Sequence, residues 1–314
     1  MRQTSLNMVY ELAKHDSRVI FIGSDLGPET LKQLKAELPN QFLMEAVSEA
    51  NIVTMAAGLA LEGKIPYINT IATFLSRRCF EQIVLDLGLH KTKVRLIASG
   101  GGVVYAPLGP THLATDDIAI LRAVPNMTIL APADAEEMKR LMLQTLDVDG
   151  PIYIRLGKGG DPVVSRADLP CEIGKAISMR AGRDALIVAT GICLQVALEA
   201  AAELEKQGVS AGVLHVHTIK PLDVAAILDK TAQVPVVVTI EEHTLMGGLG
   251  SAVAEIIAEA GFNPARRFKR IGIPDIFPDK YGSQASLMAR YNITSANLIA
   301  VINELRKPLS TSKV

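Results

Sequence analysis

Five short β-branched runs mark the first half of the chain, each leading into a helix-like pattern. They are VIFIG at 19–23, IPYINT at 65–70, KVRLIAS at 93–99, MTILAP at 127–132 and PIYIRLG at 151–157. Runs this apolar are buried on both faces, and their alternation with helices predicts a mostly parallel sheet covered by helices. A polar stretch rich in Pro and Gly, GKGGDPVVSRADLPCEIGK, then precedes a second series: ALIVATG, GVLHVHTIK, PVVVTIEEH and FKRIGI. The expectation is an α/β protein of two successive domains with mostly parallel sheets, residues 1–170 and 171–314. A length of 314 residues supplies both halves with a core.

Charge narrows the partners. Thirty-two basic and thirty-three acidic side chains leave a net charge of −1, without a long run of either sign. Nothing here recruits nucleic acid or a membrane surface, so the expected ligand is a small molecule. No stretch reaches the roughly 18 consecutive apolar residues of a membrane span, and the first residues read as an amphipathic helix, not a signal segment. Cys79, Cys171 and Cys193 are widely separated and lack metal-like spacing. That usage fits a reducing compartment, and the expected location is the cytoplasm.

In a parallel α/β sheet, ligands sit beyond the carboxyl ends of the strands. The segments to examine are therefore Ser24 to Pro28, Thr73-Phe74, the glycine run Gly100 to Gly102 leading to Gly109-Pro110-Thr111-His112, and Arg155. Glu49 adds a different signal. A helix starting near Ser48 would place Glu49 on the same stripe as Ile52, Val53 and Ala56, so the acid shares an apolar face. A carboxylate held there is desolvated and able to share a proton with a ligand nitrogen; its bland alternative is an acid at a helix start, favoured by the dipole.

The other candidates also have two readings. His112 follows a Gly-Pro turn and is either a loop histidine or a proton shuttle. Arg155 ends an apolar strand, as a salt-bridging cap or as a fork for phosphate or carboxylate. Phe74 and Phe80 flank Arg77 and are either core contacts or a platform for a heteroaromatic ring. His215 and His217, two apart on one predicted strand, share a face, but without a third ligand they read as strand residues. The segment MGGLGSAVAEII opens a helix with glycines, which suits tight turning better than a phosphate loop.

Taken in order, GSDLGP at 23–28, AVSEANIVTMAAGLAL at 46–61, TFLSRRCFEQIVLDLGL at 73–89, GPTH at 109–112, RAVPNMTILAPADAEE at 122–137, IKPLD at 219–223 and EEHTLMGGLGSAV at 241–253 resemble one family. It is the transketolase family of thiamine diphosphate enzymes, 1-deoxyxylulose-5-phosphate synthase included, through its pyrimidine-binding and C-terminal domains. The resemblance implies that Glu49 is the acid that hydrogen-bonds N1′ of the cofactor's aminopyrimidine. It places Phe74, Arg77 and Phe80 in the aminopyrimidine-contacting segment, and Asp25 and Leu26 near the thiazolium. On the substrate side it implies His112, which contacts donor hydroxyls or moves protons, with Arg155 and Arg2 gripping a sugar phosphate. Three departures accompany it: Leu108 replaces an aspartate that holds a sugar hydroxyl, Gly100 occupies another substrate-contact position, and Asn51 replaces a histidine.

Family members hold Mg²⁺ and the diphosphate with a Gly-Asp-Gly motif followed by asparagine, because a compact anion needs a hard cation and oxygen ligands. Nothing in this sequence matches that motif, so the resemblance implies a separate N-terminal transketolase subunit that carries it. The expected assembly is a heterotetramer that transfers a two-carbon ketol unit from a ketose to an aldehyde, with no metal ligand from this chain. The alternatives are a decarboxylating carboligase like deoxyxylulose phosphate synthase, a 2-oxo acid dehydrogenase β subunit, and a non-catalytic scaffold.

Overall fold

The computed structural model describes residues 1–23, 31–45, 47–157 and 159–308. Its first sheet has seven strands: β1 Val19–Gly23, β2 Phe42–Met44, β3 Ile65–Ile71, β4 Arg95–Ser99, β5 Thr128–Leu130, β6 Ile152–Leu156 and, later in the chain, β10 Thr218–Lys220. The second has β7 Ile177–Arg180, β8 Ala185–Ala189, β9 Ala211–His215, β11 Val236–Thr244 and β12 Arg267–Ile273. The spatial orders are β10-β5-β6-β4-β3-β1-β2 and β12-β11-β8-β9-β7. All neighbours are parallel except β10 with β5 and β7 with β9. The expected α/β class with two mostly parallel sheets is therefore observed.

Strand alternation explains the layers. In β1, Val19 and Phe21 face a core shared with Leu6, Val9 and Leu12 of helix α1 (Arg2–His15), and Ile20 and Ile22 face the opposite core. That opposite core also takes Ile52, Val53 and Ala56 of a helix spanning Glu49–Leu61 and extends to Leu186, Val188 and Val237 of the second sheet. The alternate residues Ile187, Val238 and Ile240 face a third core, against the helix Cys193–Lys206. One apolar layer thus spans both halves of the chain. No helix among the described residues is long and apolar enough to cross a membrane.

The run GVLHVHTIK departs from its expected form. It is not one strand: the chain leaves the second sheet after His215 and re-enters the first at Thr218, where it pairs antiparallel with β5. His217 lies in the turn between, so the two histidines do not share a strand face, although their rings meet edge-on at 5.8 Å. The interruption is held by backbone pairing, since the Ala131 N–H donates to the His217 carbonyl at 2.7 Å and the Val216 N–H to Ala189 at 2.8 Å. Each run of main chain finds its partner on a different sheet.

Candidate functional site

Parallel pairing sends the segments after β2, β3 and β4 to one end of the first sheet. After β2, the helix Glu49–Leu61 begins with Ser48 at its N-cap position. Glu49 is 2% exposed, and Ile52, Val53 and Ala56 on its face are fully buried, so the acid occupies the apolar stripe read from the sequence. After β3, the π-helical turn Phe74–Arg78 leads into Phe80–Gln82 and a second π-helical segment, Ile83–Leu89. After β4 come Gly100 to Gly102 and the turn Pro110–His112.

Arg78 joins the first two segments. Its Nη1 donates to Glu49 Oε2 at 2.6 Å, and its guanidinium lies 4.2 Å from the centroid of the Phe74 ring. Phe74 in turn meets the His112 ring edge-on at 5.4 Å. Glu49, Arg78, Phe74 and His112 form a connected line. Glu49 Oε1 is buried and has no hydrogen-bond partner, which leaves an acceptor available to a ligand N–H or protonated ring nitrogen. Nearby, burial first and the Glu49 charge second push the Cys79 thiol up to about 12, so it stays protonated and unreactive at neutral pH. His112 Nδ1 lies 2.9 Å from Thr111 Oγ1, which orients the ring.

The remaining expected residues are placed differently. Arg77 pairs with Asp116 at 2.7 Å, and Phe80 packs half-buried against the first-sheet core. Arg2 lines a cleft of about 670 Å³ at the ends of β4 and β6, together with Thr4, Ser99, Gly100, Tyr105 and Gly157. Among the described residues, neither Glu49 nor His112 lines that cleft. Asp25 and Leu26 lie outside the described residues.

Arg155 is buried at the junction of the two sheets. Its Nε donates to Asp117 Oδ2 at 2.9 Å, and its Nη2 to the carbonyls of Glu242 at 2.9 Å and Ala114 at 3.2 Å. Burial would lower its pKa, but the Asp117 and Glu242 carboxylates hold it above the ordinary arginine value. Glu242 Oε1 accepts the Val103 N–H at 2.7 Å. The glycine run follows from this crowding. A Cβ on Gly101 would come within 2.6 Å of the Arg155 side chain, and one on Gly102, at φ +67°, within 2.5 Å of the Glu242 carboxyl carbon. Two of the guanidinium's nitrogens thus join the halves, in the manner of a salt-bridging cap.

The second glycine-rich segment also has an internal explanation. The N–H groups of Leu249 and Gly250, at the start of the helix Leu249–Ala260, donate to Glu241 at 2.8 and 2.7 Å. The anion that this helix start attracts is the chain's own carboxylate.

Comparison with known proteins identifies the family. The sequence matches the transketolase pyrimidine-binding domain over residues 1–160 and the transketolase C-terminal domain over residues 174–298. The chain belongs to the transketolase family. A 6-deoxy-6-sulfo-D-fructose transketolase subunit, SqwH, of Clostridium sp. strain MSTE9 is 35% identical over 92% of each chain. A 1-deoxy-D-xylulose-5-phosphate synthase of Synechococcus sp. strain JA-2-3B'a(2-13) is 38% identical over 92% of this chain but only 44% of its own length. A solved split gene transketolase, described as an inactive beta4 tetramer, superposes with a TM-score of 0.87 at 32% identity and covers 97% of both chains. Membership in this family implies dependence on thiamine diphosphate. The orphaned Glu49 oxygen and the Phe74 ring, bridged by a flat nitrogen-bearing cation, suit an aminopyrimidine.

Arg78 was not singled out from the sequence. The signal was present in its spacing, since Phe74 and Arg78 are four residues apart and face each other across one helical turn. Nothing local indicated that the same guanidinium would reach Glu49.

Proposed function

We propose that this chain is the pyrimidine-binding subunit of a two-chain transketolase, transferring a two-carbon ketol unit from a ketose donor to an aldehyde acceptor. A separate subunit with the Gly-Asp-Gly motif would hold Mg²⁺ and the diphosphate, and the pair would assemble as a heterotetramer. The observation that carries this reading is the buried Glu49 carboxylate, with one oxygen held by Arg78 and the other without a partner. Thiamine diphosphate, when bound, supplies the carbon that takes up and releases the two-carbon unit.

This chain's own residues supply the setting. Glu49 Oε1 would hold the pyrimidine ring nitrogen and exchange a proton with it, while Arg78 and the apolar stripe fix the carboxylate's position. Phe74 offers an aromatic face, and the resemblance to the family would add Arg77, Phe80, Asp25 and Leu26 to the cofactor's contacts. His112, oriented by Thr111, would pass protons to and from substrate hydroxyls. Arg2, in the cleft beside Gly100, is the better placed of the two arginines to meet a sugar phosphate, because the Nε and Nη2 of Arg155 are already engaged.

The test is reconstitution. Mixed with an N-terminal transketolase subunit, the chain should bind thiamine diphosphate in the presence of Mg²⁺ and transfer ketol units. A pair that bound the cofactor no better than this chain alone would end the reading. The 38% identity to a deoxyxylulose phosphate synthase favours one alternative, a pyruvate-decarboxylating carboligase, and a donor panel with pyruvate and ketose phosphates separates the two.

A further inference from the structure

His217 lacks a third metal ligand in the sequence, but the fold brings two candidates to it. Glu137 stands in the first turn of the helix Ala135–Gln144, Cys171 in the connection between the sheets, and His217 in the turn from β9 to β10. One carboxylate oxygen, Sγ and one ring nitrogen from these three residues all lie within 4.8 Å of one another. Glu137 and His217 are fully buried, and Cys171 is half-buried.

The hydrogen bonds show which atoms are available. Glu137 Oε2 accepts the Ala133 N–H at 2.7 Å and lies 2.8 Å from His215 Nε2, whereas its Oε1 has no partner. His217 Nδ1 lies 2.9 Å from Thr218 Oγ1, and its Nε2 has no partner. Two of the three clustered residues, on different elements, thus each keep one buried polar atom unsatisfied. Buried groups in this state call for an explanation, an ion among them. His215 fixes the Glu137 carboxylate from behind, as outer-shell partners do for metal ligands. The Nη1 of Arg140, the nearby cation, donates to the carbonyls of Arg166 and Leu169 at 3.1 Å each.

We propose that Glu137, Cys171 and His217 form a divalent metal site that takes Zn²⁺ in preference to Mg²⁺. A thiolate, an imidazole and a carboxylate suit a borderline-soft ion, whereas Mg²⁺ prefers an all-oxygen set. Zinc holds such donors at about 2.0–2.3 Å, so the three atoms must close in around it, and the connection that carries Cys171 can supply the movement. The Cys171 proton leaves to solvent on binding, and the Glu137 carboxylate and Cys171 thiolate charges then match the ion's two positive charges. Water fills the fourth position on the half-exposed side of Cys171. The ion clasps the first sheet's helix, the connection and the second half at one point. None of the three residues belongs to the cofactor or substrate site proposed above.

The experiment uses the full chain, stripped with chelator and titrated with Co²⁺ as an optical probe. One Co²⁺ per chain should bind with a thiolate-to-cobalt charge-transfer band and the visible bands of a four-coordinate ion, and Zn²⁺ should displace it. Cys171→Ser should lose the charge-transfer band while keeping its circular dichroism spectrum, and His217→Gln should weaken binding by about 10-fold or more. A titration of the unsubstituted chain without the charge-transfer band would overturn the site whatever the variants do. A band unchanged in Cys171→Ser would also overturn it, by placing the metal on another cysteine.

Discussion

Replacing Glu49 by glutamine keeps the outline of a side chain that is 2% exposed but alters what its two terminal atoms can do. Arg78 Nη1 donates to Oε2 at 2.6 Å, so the amide oxygen must take that place, because an NH₂ there would set donor against donor. The NH₂ then falls at Oε1, the buried atom without a partner. An acceptor that could exchange a proton becomes a donor that cannot. Positioned general acid–base groups contribute about 100- to 10,000-fold to rate, and turnover of the reconstituted pair should drop within that range. The Arg78 contact and the apolar stripe are retained, so thermal stability should be nearly unchanged. Cofactor affinity should fall much less than turnover. The assay is steady-state ketol transfer by the two-subunit pair, with isothermal titration of thiamine diphosphate as the binding control. Turnover close to that of the unsubstituted pair, with cofactor bound, would refute the assignment of Glu49 as the proton-exchanging acid.

Other consequences follow from the junction between the sheets. Burial pushes the Glu242 carboxyl up from 4.5 to about 7, against the pull of the Arg155 guanidinium. The folded chain thus keeps this proton to higher pH than the unfolded chain, and stability present at acid pH is lost as pH rises from about 4.5 through about 7, by about 3 kcal/mol. Glu242→Gln should remove most of that loss, read as urea midpoints at about pH 5 and about pH 8; an unchanged pH slope would count against it. Arg155→Met strands the buried Asp117 carboxylate and should cost about 3–5 kcal/mol, much of which Asp117→Asn should restore in the double variant. Gly248→Ala would bring a Cβ to 2.2 Å from Glu241 Oε2; since two N–H donors hold that carboxylate in place, a cost of about 1–3 kcal/mol in thermal or urea unfolding is expected.

Strand positions and the Glu49 stripe were legible because both depend on short-range periodicity. Ile20 and Ile22 face one core, Val19 and Phe21 the other, as a period of two requires. Glu49, Ile52, Val53 and Ala56 share a face because three- and four-residue spacing does so in any helix. Where a run served two sheets, periodicity misled: GVLHVHTIK is continuous as a pattern, yet its two ends pair with different sheets.

By itself, then, the amino-acid order determined the α/β class, the alternation of buried faces, the acid at a helix start and the ordered motifs of the transketolase family. Those are properties of neighbours within a few residues of one another. Tertiary structure alone decided which polar groups pair: Arg78 with Glu49 across 29 positions, Arg155 with Asp117 across 38, and His217 with Glu137 and Cys171 in one cluster. Hydrophobic burial constrains which face of an element turns inward but is non-directional. A polar side chain needs a specific atom at a specific distance, and that atom arrives only when distant segments have packed together.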